Sequence, residues 1–144
     1  MNPIVLTIAG IPKPQPRSRA RRGQKGTYDP GMADFWKALV NAEARNWFTA
    51  PLNGPIRVDS TFKFPRPARL NTKKHPEGLI HHWTRPDRDN LDKAVLDALK
   101  GVAWIDDAQV CDGWIRKFYH EKNGGPGVIV IITPIHEKGE SDSC

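Results

Sequence analysis

The sequence is poor in cysteine, methionine and tyrosine, with two of each in 144 residues, and it contains no long apolar run. Cys111 and Cys144 cannot build the network of bridges on which small secreted folds depend, and the second is the last residue of a polar tail. They also lack the close spacing of zinc ligands, so structural zinc is not expected. The longest apolar stretches, 4–8 and 128–132, are strand-length, far short of the ~20 residues of a membrane span. The first residues carry neither a basic leader nor a small-residue cleavage site. With 38% hydrophobic residues and a mean hydropathy of −0.57, the expectation is a single, unprocessed cytoplasmic domain in a reducing compartment.

What is present in excess is positive charge: 22 Lys and Arg against 16 Asp and Glu, a formal net charge of +6 and a pI near 9.6. Its distribution says more than its sum. Lys13, Arg17, Arg19, Arg21, Arg22 and Lys25 fall in a stretch, 11–28, that contains no acid. Residues 63–86 hold six bases and one acid, Glu77, whereas 87–112 hold seven acids and three bases. An acidic cluster therefore lies within a chain whose other charged segments are basic.

Residues 4–10 read as a strand ending at Gly10, followed by a basic arm over 11–28 whose prolines and glycines exclude a helix or a central strand. Asp29 followed by Pro30 predicts an N-cap and first helical residue, with the helix running to about Phe48. Phe35, Leu39, Ala42 and Asn46 mark one side, widened by Trp36, Val40 and Trp47. The alternation Ile56, Val58, Ser60, Phe62, Phe64 predicts a half-buried strand. No periodicity follows until Pro86, which predicts a long basic loop over 63–86. A second helix is expected to start at Asp89 as cap, with Asp92 at the third helical position, and to stop before Gly101. Strands over 110–120 and 128–133, joined by KNGGPG, read as a hairpin. The result is one α+β domain over 1–134, a small mixed or antiparallel sheet with helices packed on one face, and a polar tail over 135–144.

The chemistry concentrates in Arg85-Pro86-Asp87-Arg88-Asp89-Asn90-Leu91-Asp92-Lys93 and in Asp106-Asp107-Ala108-Gln109. Carboxylates gathered together repel one another unless a cation sits among them, and an all-oxygen donor set suits Mg2+ with water completing its shell. Asp87 and Asp89 at a helix mouth can turn toward one point, and Lys93, four residues after Asp89, lies on the same face. Asp107 would fold back from the following loop. Phosphodiester hydrolysis uses these parts: carboxylates to hold the metal and a lysine to stabilise charge on the phosphate. The same residues also have plainer uses. D-x-D is a common helix cap, Asp106-Asp107 could cap a turn, and Lys93 could pair with Asp89 or Asp97.

Over PDRDNLDKAVLDALKGVAWIDDAQV, residues 86–110, the sequence resembles the RusA-type Holliday junction resolvases in its D-x-D-N-L-x-K, D-A-L and W-x-D-D-A-Q elements. The resemblance implies a homodimeric, Mg2+-dependent endodeoxyribonuclease, with Mn2+ able to substitute, that resolves four-way DNA junctions by paired nicks in recombination and repair. It implies Asp87, Asp89 and Asp107 as metal ligands, Lys93 as the essential lysine and Asp106 as a supporting acid. Where shorter members pass almost directly from strand to motif, this chain carries the loop FPRPARLNTKKHPEGLIHHWTRP, so sequence preference and strand opening are expected to differ. A nuclease of the same fold acting on flaps or forks, or a non-catalytic nucleic-acid-binding module, are the rival functions.

Phosphate contacts are expected from Lys13, Arg17, Arg19, Arg21, Arg22, Lys25, Arg66, Arg69, Lys73, Lys74 and Arg85. Among Phe62, Phe64 and Trp83, Phe64, at the strand's exit into the basic loop, is the expected wedge into the junction. His81 and His82 could touch phosphate, but no His-Asn-His nuclease spacing is present. A near-two-fold junction calls for a two-fold dimer, with the first helix and the first and last strands as possible interfaces.

Overall fold

The computed structural model describes residues 2–16 and 30–137. Arg17, Arg19, Arg21, Arg22, Lys25, the cap at Asp29 and residues 138–144 lie outside them. The elements in order are β1 (Ile4–Ala9), α1 (Pro30–Arg45), β2 (Ile56–Phe64), β3 (Ile80–His81), α2 (Arg88–Leu99), β4 (Val110–Asp112), β5 (Ile115–Tyr119) and β6 (Gly127–Pro134), with short 3-10 turns at Ala68–Leu70 and Asp107–Gln109. This is the expected α+β class: the described residues form one mixed six-stranded sheet and two helices.

The strand order is β1-β6-β2-β5-β3, with β4 also alongside β2. β2 runs antiparallel to β6 and parallel to both β4 and β5. The expected hairpin between the last two long strands is therefore wrong, because β2 lies between them. β2 is the most enclosed of the long strands, buried at seven of its nine positions, and it pairs with both β5 and β6. The turn residues KNGGPG instead carry the chain across the end of β2. β6 is thus paired on both sides, by β1 and β2.

The expected single strand over 110–120 is broken at Gly113 and Trp114. Gly113 has φ +134°, and a Cβ there would lie 1.8 Å from the Val58 carbonyl oxygen. Only glycine admits this close approach of the two backbones. The buried Asp59 carboxylate accepts from the Trp114 amide at 2.9 Å and from Arg57 Nε at 2.9 Å.

Leu6 and Ile8 of β1, Ile56, Val58, Phe62 and Phe64 of β2 and Val128, Val130 and Ile132 of β6 share one core with both helices. α1 turns Ala33, Trp36, Val40 and Ala44 inward, while Phe35 is 64% and Leu39 38% exposed. The side marked by Phe35 and Leu39 in the sequence is therefore the outer one, because two apolar stripes compete on this helix and the one carrying Trp36 buries more. α2 buries Leu91, Ala94, Val95, Ala98 and Leu99 as its spacing implies, and Gly101, at φ +86°, turns the chain just beyond its end. No described helix is long and apolar enough to cross a membrane.

Candidate active site

α2 begins two residues earlier than the sequence suggests. Asp87, not Asp89, occupies the N-cap, with extended backbone (φ −69°, ψ 143°), and its side chain makes no capping hydrogen bond. Asp89 falls in the first turn, where the helix dipole favours an anion. Both carboxylates line one open cleft of about 670 Å³, together with Trp83, Thr84, Arg85, Arg88 and Lys117. The cleft thus combines two acids with three cations.

Lys117 is the residue that the sequence did not single out. It lies on the inward row of β5, between Ile115 and Tyr119 and opposite Phe62, and donates its Nζ to the Thr84 carbonyl oxygen at 2.6 Å. Burial pushes its ammonium below the ordinary 10.5, and the charge of Asp87 opposes that shift. A cation between two inward-facing apolar positions is a signal that the sequence does contain, but only once the break at Gly113 sets the register. Lys93, by contrast, is exposed, and the cleft lining does not include it.

Asp107 is half-buried and its Oδ1 accepts from the indole Nε1 of fully buried Trp104 at 2.8 Å. It faces Asp92, also half-buried. Burial first and the charge of Asp107 second push the Asp92 carboxyl above its ordinary 3.8, with Arg88 pulling the other way. Asp92 was expected to belong to a helix cap; it lies instead at the edge of the buried stripe, three residues before Val95 and seven before Leu99, and this spacing could have revealed it. Asp106 has the structural role weighed for it in the sequence: its side chain accepts from the Ala108 amide at 2.9 Å in a reciprocal cap with Gln109. Gln109 also donates to the Leu52 and Gly54 carbonyls at 2.9 and 3.0 Å, fastening the turn to the segment before β2.

The donor chemistry fits a hard divalent ion that keeps much of its water, as Mg2+ does: two carboxylates on one cleft, and a second pair, Asp92 and Asp107, whose mutual repulsion a cation would relieve. A closed cage is absent. Among the described residues no three His, Cys, Asp or Glu side chains converge as ligands, and Asp107 is not part of the cleft lining shared by Asp87 and Asp89.

The loop between β2 and α2 is not structureless. Arg66 Nε donates to Leu70 O at 3.0 Å, Nη1 to Gly78 O at 3.0 Å and His120 O at 3.4 Å, and Nη2 to Pro76 O at 2.6 Å. Arg66, expected as a phosphate contact, is thus committed to four carbonyls that fold the loop. Arg69, Lys73, Lys74 and Arg85 are exposed. The wedge expected at Phe64 is also corrected: Phe64 is 5% exposed and stacked on His82, ring centroids 4.3 Å apart, with Tyr119 edge-on to His82 at 4.8 Å. His81 packs on Phe118 at 4.8 Å. Of Phe62, Phe64 and Trp83, Trp83 is left outside, 87% exposed. At the other approach, the Gln15 backbone amide donates to Asn90 O at 2.9 Å, so the basic arm, whose first base Lys13 is half-buried, runs beside the first turn of α2.

Two comparisons with known proteins bear on this site. The family model described as Endodeoxyribonuclease RusA matches residues 9–133. The chain is also 35% identical over 145 residues to "Uncharacterized protein YqaN" of Bacillus subtilis (strain 168), covering 94% of this chain and 99% of that one.

Proposed function

The chain belongs to the RusA family of endodeoxyribonucleases, and from that premise we propose that it is a Mg2+-dependent enzyme, with Mn2+ able to substitute, that nicks four-way DNA junctions symmetrically during recombination and repair. The observation that carries the reading is the cleft at the start of α2, where Asp87 and Asp89 meet Arg85, Arg88 and Lys117. An acidic pair would repel DNA phosphate unless a metal shields it, and the surrounding cations would be of little use to a metal without an anionic substrate. Together they suit a phosphodiester.

Asp87 and Asp89 would hold the ion in this reading, with Asp107 as the third candidate ligand. When bound, the metal supplies Lewis-acid charge and lowers the pKa of a coordinated water. The chain's own residues do the rest. Lys117, anchored on the Thr84 carbonyl, supplies a cation fixed to the rigid sheet, whose placement needs no reorganisation as charge develops on the phosphate. Lys93, one turn behind Asp89, reaches the same phosphate from the exposed side of α2. By analogy with the loss of a single oxyanion donor, each such cation contributes roughly 10²-fold or more in rate. Trp104 holds Asp107 through its indole N–H, and the cap formed by Asp106 and Gln109 fixes the turn that presents it. Arg69, Lys73, Lys74, Arg85 and the arm bind phosphates without reading bases.

Two symmetric nicks require two sites, so the active species is a two-fold homodimer of a single domain over 1–134, working in the cytoplasm where the DNA is. The test is a cleavage assay on labelled four-way junctions, flaps and linear duplex with Mg2+, Mn2+ or EDTA. Paired nicks in junctions, dependent on the divalent ion, are expected. Equal or faster cutting of flaps would overturn the junction assignment, and binding without nicking under every ion would overturn the enzymatic one.

A further inference from the structure

Trp83 stands at the lip of the cleft with 87% of its surface exposed, while both of its chain neighbours are held. His82 is buried between Phe64 and Tyr119, its amide donates to Lys117 O at 3.1 Å, and its Nε2 lies 3.3 Å from Thr84 Oγ1. Thr84 in turn receives the Lys117 ammonium on its carbonyl. An indole on a slack loop would fold down onto nearby apolar surface; this one is presented to solvent from a backbone fixed on either side. Arg85, Arg88 and Lys117 line the same cleft. A flat aromatic face beside three cations matches the two ends of a nucleotide, a base that stacks and a phosphate that pairs.

We propose that Trp83, with Arg85, Arg88 and Lys117, forms a subsite for one unstacked nucleotide of branched DNA, the indole stacking on the unpaired base and the cations holding its phosphate next to the acidic pair. The proposal deepens the nuclease reading and rests on it for the identity of the substrate. Fully paired linear duplex offers no free base face, so the subsite favours DNA in which a base next to the cut is already out of its stack.

The experiment measures binding of four-way junctions and linear duplex in Ca2+, with 2-aminopurine placed in turn at each position flanking the branch. Wild type, Trp83→Ala, Trp83→Phe, Lys117→Met and Asp87→Asn are compared. Wild type and Asp87→Asn should quench the probe at one position per arm pair. Trp83→Ala should lose that quenching and bind the junction roughly 5- to 150-fold more weakly, the range for one base-aromatic stack, with duplex affinity unchanged. Trp83→Phe should recover most of the loss, and Lys117→Met should weaken junction binding while keeping the quench. Unaltered junction affinity and quenching in Trp83→Ala would overturn the subsite, as would an equal loss on linear duplex. Parallel assays in Mg2+ keep the two readings apart: wild type that never nicks yet shows quenching dependent on Trp83 refutes the nuclease and leaves the subsite standing.

Discussion

Replacing Arg66 by alanine separates two uses of one cation. If Arg66 were a phosphate contact, its removal would weaken DNA binding and lower the log–log salt slope by about 0.9, leaving the fold alone. Its four carbonyl partners predict the opposite. Three of the four hydrogen bonds are 3.0 Å or shorter, and a hydrogen bond to a charged group contributes a net of about 1.5–3 kcal/mol when buried. Arg66 is half-buried, so water recovers part of this, and a net loss of about 2–4 kcal/mol is the working figure. The loss falls on the loop and not on the sheet, because loops open as local units.

The assay is amide hydrogen exchange. The Asn71 and His75 amides, which bond to Ala68 O and Thr72 O within the loop, should lose protection by roughly 30- to 700-fold, 1.4 kcal/mol being a factor of ten. Core strands such as β2 should be unchanged. Arg66→Lys should not rescue, because an ammonium cannot reach carbonyls on three sides as the planar fork does. Lys73→Ala is the contrasting control: exposed and without a structural partner among the described contacts, it should leave exchange alone and lower the salt slope. Unchanged loop protection in Arg66→Ala, together with a slope reduced as in Lys73→Ala, would refute the reasoning.

Asp87→Asn, Asp89→Asn and Asp107→Asn should each abolish metal-dependent nicking while junction binding survives or improves; near-wild-type cleavage by all three would remove them from the mechanism. Burial first, and Lys117 second, hold the His82 imidazole below its ordinary 6.5, so the folded protein binds fewer protons there than the unfolded chain, and stability should rise as pH climbs toward 6.5 and be lost as it falls through the lowered value. Urea melts from pH 5 to 7.5 should show that slope, flattened in His82→Phe. Gln109→Ala removes an amide that donates to two carbonyls and accepts from the Ile105 and Asp106 amides, and should cost about 2–3 kcal/mol in a denaturant melt. Gly113→Ala should prevent folding or cost several kcal/mol, because its Cβ would meet the Val58 backbone at 1.8 Å.

The elements whose boundaries were legible are those in which a single periodicity acts alone. β2 alternates without interruption, and its bounds, Ile56–Phe64, follow the alternation to the residue. α2 has one apolar stripe and is buried along it. Where two signals compete, local pattern loses to partners far away in the chain. α1 offers two stripes, and only the sheet decides that Trp36 and Val40 go inward. Residues 110–120 look like one strand, and only the demand of β2 for neighbours along its whole length, met by β4 at one end and β5 at the other, makes a break at Gly113 necessary. The apparent hairpin fails for the same reason, since nothing within KNGGPG can report that another strand lies between its two arms.

The same division runs through the site. Asp87 and Asp89 are two residues apart at a helix mouth, so local geometry alone brings them to one cleft. Lys117 reaches that cleft from a strand 30 residues further on, through parallel pairing with β2, and Asp107 meets Asp92 only because a turn fixed by Gln109 packs against 51–55. Charge counted along the chain likewise located the acidic segment but mixed different kinds of base in the loop before it. Arg66 is spent on carbonyls, Lys63 lies 3.2 Å from Glu121, and Arg69, Lys73 and Lys74 remain in solvent. Formal charge therefore overstates what this loop can offer a phosphate; of the cations lining the cleft, Arg85 and Arg88 are chain neighbours of Asp87 and Asp89, and Lys117 is the one the fold brings beside them.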